Sequence, residues 1–226
     1  MGIKDNIAKF KGELDLSGAK LIAVSKTHPV DKIREAYAAG QRIFGENKVQ
    51  ELTEKAPQLP AEIEWHLIGH LQRNKVKYIA PFVSLIHSVD SQKLLYEINQ
   101  QGKKNGRVLR CLLQVFIAKE ETKFGLDQDE LTQIIQSSET AAMDNILIEG
   151  LMGMATLTEN QDQVREEFRS LKKIFDGLKG QTLPNNIRMN ELSMGMSSDY
   201  KIALGEGSTM VRIGTAIFGT REINKL

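Results

Sequence analysis

Eight short apolar runs, separated by polar stretches of helical character, constrain this chain more than any other feature. The runs occupy 20–26, 43–47, 64–70, 85–90, 110–118, 147–156, 190–196 and 209–219. Most are too short for a helix and nearly continuous in apolar character, as expected of strands buried on both faces of a parallel sheet. Between them the period changes. Ile33, Ala36 and Tyr37 share one helix face, and Gly40 supplies a stop. Ser91 is placed to cap a helix carrying Leu94, Leu95 and Ile98. Val164, Phe168, Leu171, Phe175 and Leu178 step by four and three residues, the most regular amphipathic pattern in the chain. Ahead of the first run, Ile3, Ile7, Phe10 and Leu14 form another stripe, expected to belong to a helix closing one end of a barrel.

Eight β–α alternations with no Pro/Gly/Ser linker predict an α/β chain: a single (β/α)8 TIM-type barrel with an extra N-terminal helix, one domain over 1–226. A doubly wound sheet is the competitor. Its dinucleotide signature is missing, because Gly205-Glu206-Gly207 lacks the third glycine and follows a helical stretch; no Walker A sequence occurs either.

Charge removes several classes of partner. Lys+Arg number 30 against 29 Asp+Glu, a formal charge of +1, so no excess field exists to hold a nucleic-acid backbone or an anionic membrane. Cys111, the single cysteine, sits in an apolar run and reads as a small buried hydrophobe, with no disulfide or cysteine-based zinc site available to it. No apolar h-region follows Met1-Gly2-Ile3-Lys4-Asp5-Asn6, and Asn6 breaks the myristoylation pattern. No stretch approaches the ~20 apolar residues of a membrane span. The expectation is a soluble cytoplasmic protein. The histidines are His28, His66, His70 and His87; His66 and His70 have helical metal-pair spacing but fall in a strand–loop segment, so loop or core roles are expected and no metal.

Barrel chemistry sits at the carboxyl ends of the strands, so polar residues there carry the functional reading. In Leu21-Ile22-Ala23-Val24-Ser25-Lys26, alternation puts Lys26 on the face of Ile22 and Val24. If that face is the interior, desolvation disfavours the ammonium form and leaves an amine able to attack aldehydes; a lysine that snorkels to solvent is the alternative. Arg212 interrupts the last apolar run and needs a partner, either a carboxylate of Glu46, Glu191 or Asp90 or a bound ligand. Leu192-Ser193-Met194-Gly195-Met196-Ser197-Ser198-Asp199-Tyr200 passes from strand through a glycine loop into a helix start, where Ser197 is either an N-cap or an anion ligand. Gly214 and Thr215 follow the eighth strand, and loops after strands seven and eight often hold a phosphate in barrels. An amine, a guanidinium and a phosphate seat around one mouth match the needs of pyridoxal 5′-phosphate (PLP).

Ala23-Val24-Ser25-Lys26-Thr27, Phe44-Gly45-Glu46-Asn47-Lys48-Val49-Gln50-Glu51 and Trp65-His66-Leu67-Ile68-Gly69-His70-Leu71-Gln72-Arg73-Asn74-Lys75 resemble the pyridoxal phosphate homeostasis protein family. Leu192-Ser193-Met194-Gly195-Met196-Ser197 and the segment from Val211 to Arg221 complete the likeness. The resemblance implies a barrel related to the amino-terminal domain of alanine racemase, with PLP held as an internal aldimine on Lys26. It further implies Arg212 at the pyridine nitrogen, Ser197, Gly214 and Thr215 at the phosphate, Asn47 beside the cofactor and Ser193 as a further contact. Lys123, in Lys123-Phe124-Gly125, becomes an auxiliary site for cofactor entry or transfer. Arg73 departs from the serine that family members often carry before Asn-Lys.

A guanidinium disfavours a proton on the pyridine nitrogen and so weakens the ring as an electron sink. In alanine racemase relatives the second acid/base group comes from an added carboxyl-terminal domain, and this sequence stops seven residues after Gly219. The expectation is therefore a carrier and buffer of PLP with no efficient amino-acid turnover, supplying apo PLP-dependent enzymes. The alternatives are a PLP-dependent amino-acid racemase and an aldolase using Lys26 as its imine amine.

Overall fold

A computed structural model describes residues 2–118 and 125–220. In chain order the elements are α1 (Ile3–Asp15), β1 (Lys20–Val24), α2 (Val30–Ala38), β2 (Ile43–Glu46), α3 (Val49–Lys55), β3 (Glu64–Leu67), α4 (Val76–Ile79), β4 (Leu85–Val89) and α5 (Gln92–Lys104). They continue with β5 (Leu109–Gln114), α6 (Gln128–Gln136), α7 (Ser138–Ala141), β6 (Ile146–Met152), α8 (Gln161–Lys179), β7 (Ile187–Met196), α9 (Tyr200–Gly205), β8 (Met210–Ile213) and α10 (Thr215–Phe218). All eight strands are parallel, neighbours follow sequence order, and β8 pairs with β1 to close the barrel. The doubly wound competitor is excluded, since closure leaves no sheet edge.

Two apolar clusters follow from the pleat. Outward-facing strand residues such as Leu21, Ala23, Phe44, Trp65 and Ile86 pack with helix stripes that include Ile7, Phe10, Leu52, Leu95 and Phe168. Inward-facing Ile22, Leu85, Leu112, Met152 and Met210 form a smaller cluster of their own inside the barrel. Helix caps act where the sequence puts them: the Ser91 hydroxyl accepts from the Leu94 N–H at 3.3 Å. Cys111 is fully buried in the outer cluster, where burial pushes its thiol pKa up.

Two expectations are corrected. The last run does not stay extended to 219. Gly214 (φ −115°, ψ −80°) leaves the strand region after Ile213, and Thr215–Phe218 forms one helical turn that buries Ile217 and Phe218. A short apolar run fits either state, and here the turn wins. Helix α1 packs beside α2, α10 and β1, in the outer layer where the last βα unit carries only that short turn; Asn6 Nδ2 donates to the Ile217 carbonyl at 3.0 Å. It fills a gap in the helix ring rather than plugging an end. In β6 the strand alternation is interrupted by a bulge. Cys111 pairs with Ile148 and Leu112 with Gly150 (φ +151°), so Glu149 is an extra residue, after which Leu151 faces the helices and Met152 the interior. A Cβ on Gly150 would lie 1.8 Å from the Glu191 carbonyl oxygen, so glycine is required by the close approach of β7.

Candidate functional site

A cavity of about 490 Å³ opens at the carboxyl end of the barrel. Val24 and Lys26 line it from β1 and its loop, Asn47 from the end of β2, Ile68, Gly69 and His70 from the end of β3, and Asp90 and Gln114 from β4 and β5. Met196, Ser197, Ser198, Arg212, Gly214 and Thr215 close the other side. Of the residues singled out by sequence, Lys26, Asn47, Ser197, Arg212, Gly214 and Thr215 therefore share one wall-to-wall cavity. Lys123 lies outside the described residues.

Alternation along β1 accounts for Lys26. Ile22 faces the barrel interior, Val24 and Lys26 line the cavity, and Ser25 between them points the other way. Ser25 Oγ donates to Glu46 Oε1 at 2.7 Å, and the Lys55 ammonium on α3 donates to Glu46 Oε1 at 2.8 Å, to Glu51 Oε2 at 2.9 Å and to the Ser25 carbonyl at 3.0 Å. Thr27, with φ +66°, occupies the left-handed region that a β-branched residue rarely adopts. Its N–H donates to Glu51 Oε2 at 2.6 Å, so the strained turn is held in place from outside the barrel. Burial pushes the Glu46 carboxyl pKa up against the opposing pull of Lys55 and Ser25. Its Oε2 is buried with no hydrogen-bond partner among the described residues.

Asn47 sits against the next strand. A Cβ on Gly69 would come within 2.4 Å of the Asn47 carbonyl oxygen, so only glycine lets the β3 loop pass there and leave the Asn47 side chain at the rim.

Arg212 is 4% exposed, and none of the three carboxylates considered for it is its partner. Glu46 pairs with Lys55, Glu191 with Lys20, and Asp90 with His70 at 3.2 Å. Arg212 Nη1 donates instead to the Ser193 carbonyl at 3.0 Å and to Ser193 Oγ at 2.6 Å, and Nη2 donates to the Gly153 carbonyl at 3.0 Å. Every one of these acceptors is neutral. Burial pulls the guanidinium pKa down to about 10, with Asp199 opposing through space. Among the described residues no carboxylate hydrogen-bonds to Arg212, and Asp199 acts on it only through space, so the guanidinium presents its positive charge to the cavity. Ser193 itself is fully buried and touches Arg212 and His87 rather than lining the cavity.

Ser197 is not a helix cap. Its Oγ accepts from the Gly214 N–H at 3.3 Å and ties the β7 loop to the β8 loop. The cap position of α9 is Asp199, whose Oδ1 accepts from the Met196 N–H at 2.5 Å and whose pKa burial pushes up. Thr215 opens α10, and the first N–H groups of a helix have no partner within it. The Ser197 and Thr215 hydroxyl residues, Gly214 and the Arg212 guanidinium thus line one side of the cavity together, a set of donors able to hold an anion.

Sequence reading missed the pairing of His66 with His87. His87 Nε2 lies 2.9 Å from His66 Nδ1, and His87 Nδ1 lies 3.0 Å from Ser193 Oγ, across the barrel from β4 to β7. The usable signal was that both interrupt apolar strand runs. Among the described residues no group of three metal-ligating side chains exists, and no helix is long and apolar enough to cross a membrane.

A closed parallel barrel whose mouth joins a lysine, a buried arginine and hydroxyl-bearing loops after the last two strands points to the class of alanine racemase-type barrels. The sequence model of the alanine racemase N-terminal domain matches residues 2–222. Within that class the chain belongs to the pyridoxal phosphate homeostasis protein family. It is 42% identical over 205 residues to the pyridoxal phosphate homeostasis protein of Aquifex aeolicus, covering 90% of this chain and 88% of the relative. It is 37% identical to the human protein of that name, covering 99% and 84%. PipY of Synechococcus elongatus with PLP bound superposes with a TM-score of 0.86 at 37% identity, over 96% of this chain and 100% of PipY. Alanine racemase of Bartonella henselae shares the fold alone, with a TM-score of 0.70 at 14% identity over 98% of this chain and 60% of the racemase.

Proposed function

We propose that this chain binds PLP in the barrel mouth, with Lys26 as the amine, and works in the homeostasis of that cofactor as a carrier and buffer rather than an efficient enzyme. The observation that carries this reading is that Lys26, Arg212 and the Ser197–Gly214–Thr215 seat all open into one cavity of about 490 Å³. That volume suits a small phosphorylated ligand. When bound, PLP supplies an aldehyde that condenses reversibly with a primary amine. Lys26 presents that amine from a turn clamped by Glu46, Lys55 and Glu51. Arg212 faces the ring nitrogen and, as a permanent cation, keeps a proton off it. Ser197, Gly214 and Thr215 orient the phosphate, and Asn47 borders the ring. The names of the relatives and the PLP held by PipY support the assignment. Lys123 is proposed as an auxiliary lysine for entry or transfer to apo-enzymes, and the 1–226 chain as one domain of cytoplasmic location.

Borohydride reduction of the PLP-loaded protein, followed by digestion, should place the pyridoxyl group on the Lys26 peptide. Lys26→Ala should lose the visible absorbance of the bound cofactor entirely; label confined to another lysine rejects the site. A second reading, an amino-acid racemase, draws on His28, His70 and Asp90 at the same rim, which bring acid/base groups to the cavity. Rapid racemisation of alanine by the loaded protein would favour it.

A further inference from the structure

Two imidazoles inside the barrel take no part in the function proposed above. His87 is fully buried, His66 is 2% exposed, and the Ser193 hydroxyl beside them is fully buried. With Arg212 they form one chain of contacts: Arg212 Nη1 to Ser193 Oγ at 2.6 Å, Ser193 Oγ to His87 Nδ1 at 3.0 Å, and His87 Nε2 to His66 Nδ1 at 2.9 Å.

Donor chemistry gives the chain a direction. A guanidinium only donates, so Ser193 Oγ accepts at that end. Among the described residues, Arg212 and His87 are the hydrogen-bond partners of this hydroxyl. Its own proton must then go to His87 Nδ1, because the reverse arrangement strands a buried O–H without an acceptor. His87 consequently carries its proton on Nε2 and donates it to His66 Nδ1, and His66 carries its proton on Nε2. Both rings are neutral in this arrangement, in keeping with the burial that pushes both pKa values down, His66 to about 3.

We propose that Ser193, His87 and His66 form a one-way hydrogen-bond chain that positions the Arg212 guanidinium at the cavity while placing no countercharge in contact with it. The proposal rests on the reading that Arg212 meets the PLP ring. A carboxylate in place of the hydroxyl would hold the guanidinium harder but cancel the field available to an anionic ligand. A chain of aligned neutral dipoles orients it and, by mutual polarisation, stiffens it without that cancellation. Ser193, His87 and His66 are positioning residues here, since Arg212 alone among the four lines the cavity.

Long-range 1H–15N correlation of the histidine rings, recorded on the protein without added PLP at pH 7, reads the chain directly. The expected result is an Nε2–H tautomer for both His66 and His87. An Nδ1–H proton on His87, or an imidazolium at either ring, overturns the proposal whether or not PLP binds. Substitutions then test the consequence for the ligand. Ser193→Ala and His87→Gln remove the Ser193–His87 link and should raise the PLP dissociation constant roughly three- to tenfold, with a shifted absorbance band of the bound cofactor. His87→Asn places an amide oxygen where Nδ1 stood and should recover a threefold or larger part of the His87→Gln loss. Equal effects of Asn and Gln would reduce the chain to packing and overturn it. Absence of PLP binding by the unsubstituted protein would instead defeat the functional reading, and the tautomers would still decide for or against the hydrogen-bond chain.

Discussion

Lys26 and Arg212 come from neighbouring strands of one barrel mouth, yet the groups behind them differ in charge. The Lys26 turn is held by Glu46, Lys55 and Glu51, an ion cluster on the outer side of β1 and β2. Arg212 is held by two carbonyls, a hydroxyl and, through it, two neutral imidazoles. The difference follows from what each side chain must do. A lysine meant to react as an amine needs its backbone fixed, and charges pointing away from the cavity can do that without touching it. An arginine meant to keep a proton off a ring nitrogen needs its own charge left over, so the groups it hydrogen-bonds carry none. Placing the ions outside the staves and the neutral dipoles inside satisfies both demands within one fold.

Removing the outer cation breaks the comparison hardest. Lys55→Met leaves Glu46, 0% exposed, without its counter-ion and should cost about 3–5 kcal/mol in urea unfolding. Adding Glu46→Leu to that variant should recover most of the loss; a Lys55→Met protein as stable as the original would show that the cluster is not a buried ion pair at all.

Acid sharpens the contrast, because the two regions respond to pH with opposite sign. His66 and His87 have pKa values lowered from 6.5, so below pH 6.5 the unfolded chain binds protons that the native chain refuses, and stability falls with pH. Between pH 6 and pH 5 the pair should remove about 2.5 kcal/mol. Glu46 works the other way. Its raised pKa lets the native carboxyl hold a proton that the unfolded one has released above pH 4.5, so its contribution grows as pH falls. Glu46→Gln should therefore steepen the acid-side loss, measured as the urea midpoint against pH; a shallower slope would reverse the assignment.

The smallest effect belongs to the hydroxyl that joins strand to cluster. Ser25→Ala deletes one hydrogen bond to Glu46 and should cost about 1 kcal/mol. Because the side chain of Ser25 points away from the cavity, that loss should come with little change in PLP affinity. A large loss of affinity at unchanged stability would mean that the outer cluster governs the amine electrically rather than mechanically.

Much of this architecture was legible in the amino-acid order because it depends on neighbours in the chain. The period-two parity of β1 put Lys26 with Ile22 and Val24, and the period of 3.6 drew α8 through Val164 and Phe175. Local reading failed where a short apolar run suits two conformations, as at Thr215–Phe218, and the bulge at Glu149 that resets the alternation of β6 has no local signature beyond Gly150. It also failed for partners. Arg212 stood out as a costly cation, but any of three carboxylates fitted it equally well by sequence.

What the order of residues determined was the barrel, the strand ends that carry its chemistry and the family likeness; these rest on periodicities and motifs a few residues long. What only the tertiary structure decided was who touches whom: Ser193 rather than a carboxylate at Arg212, His87 bonded to a serine 106 residues away, and Lys55 behind the Lys26 turn. Such pairings are set by the closure and stagger of the barrel, which bring together side chains that no local pattern relates.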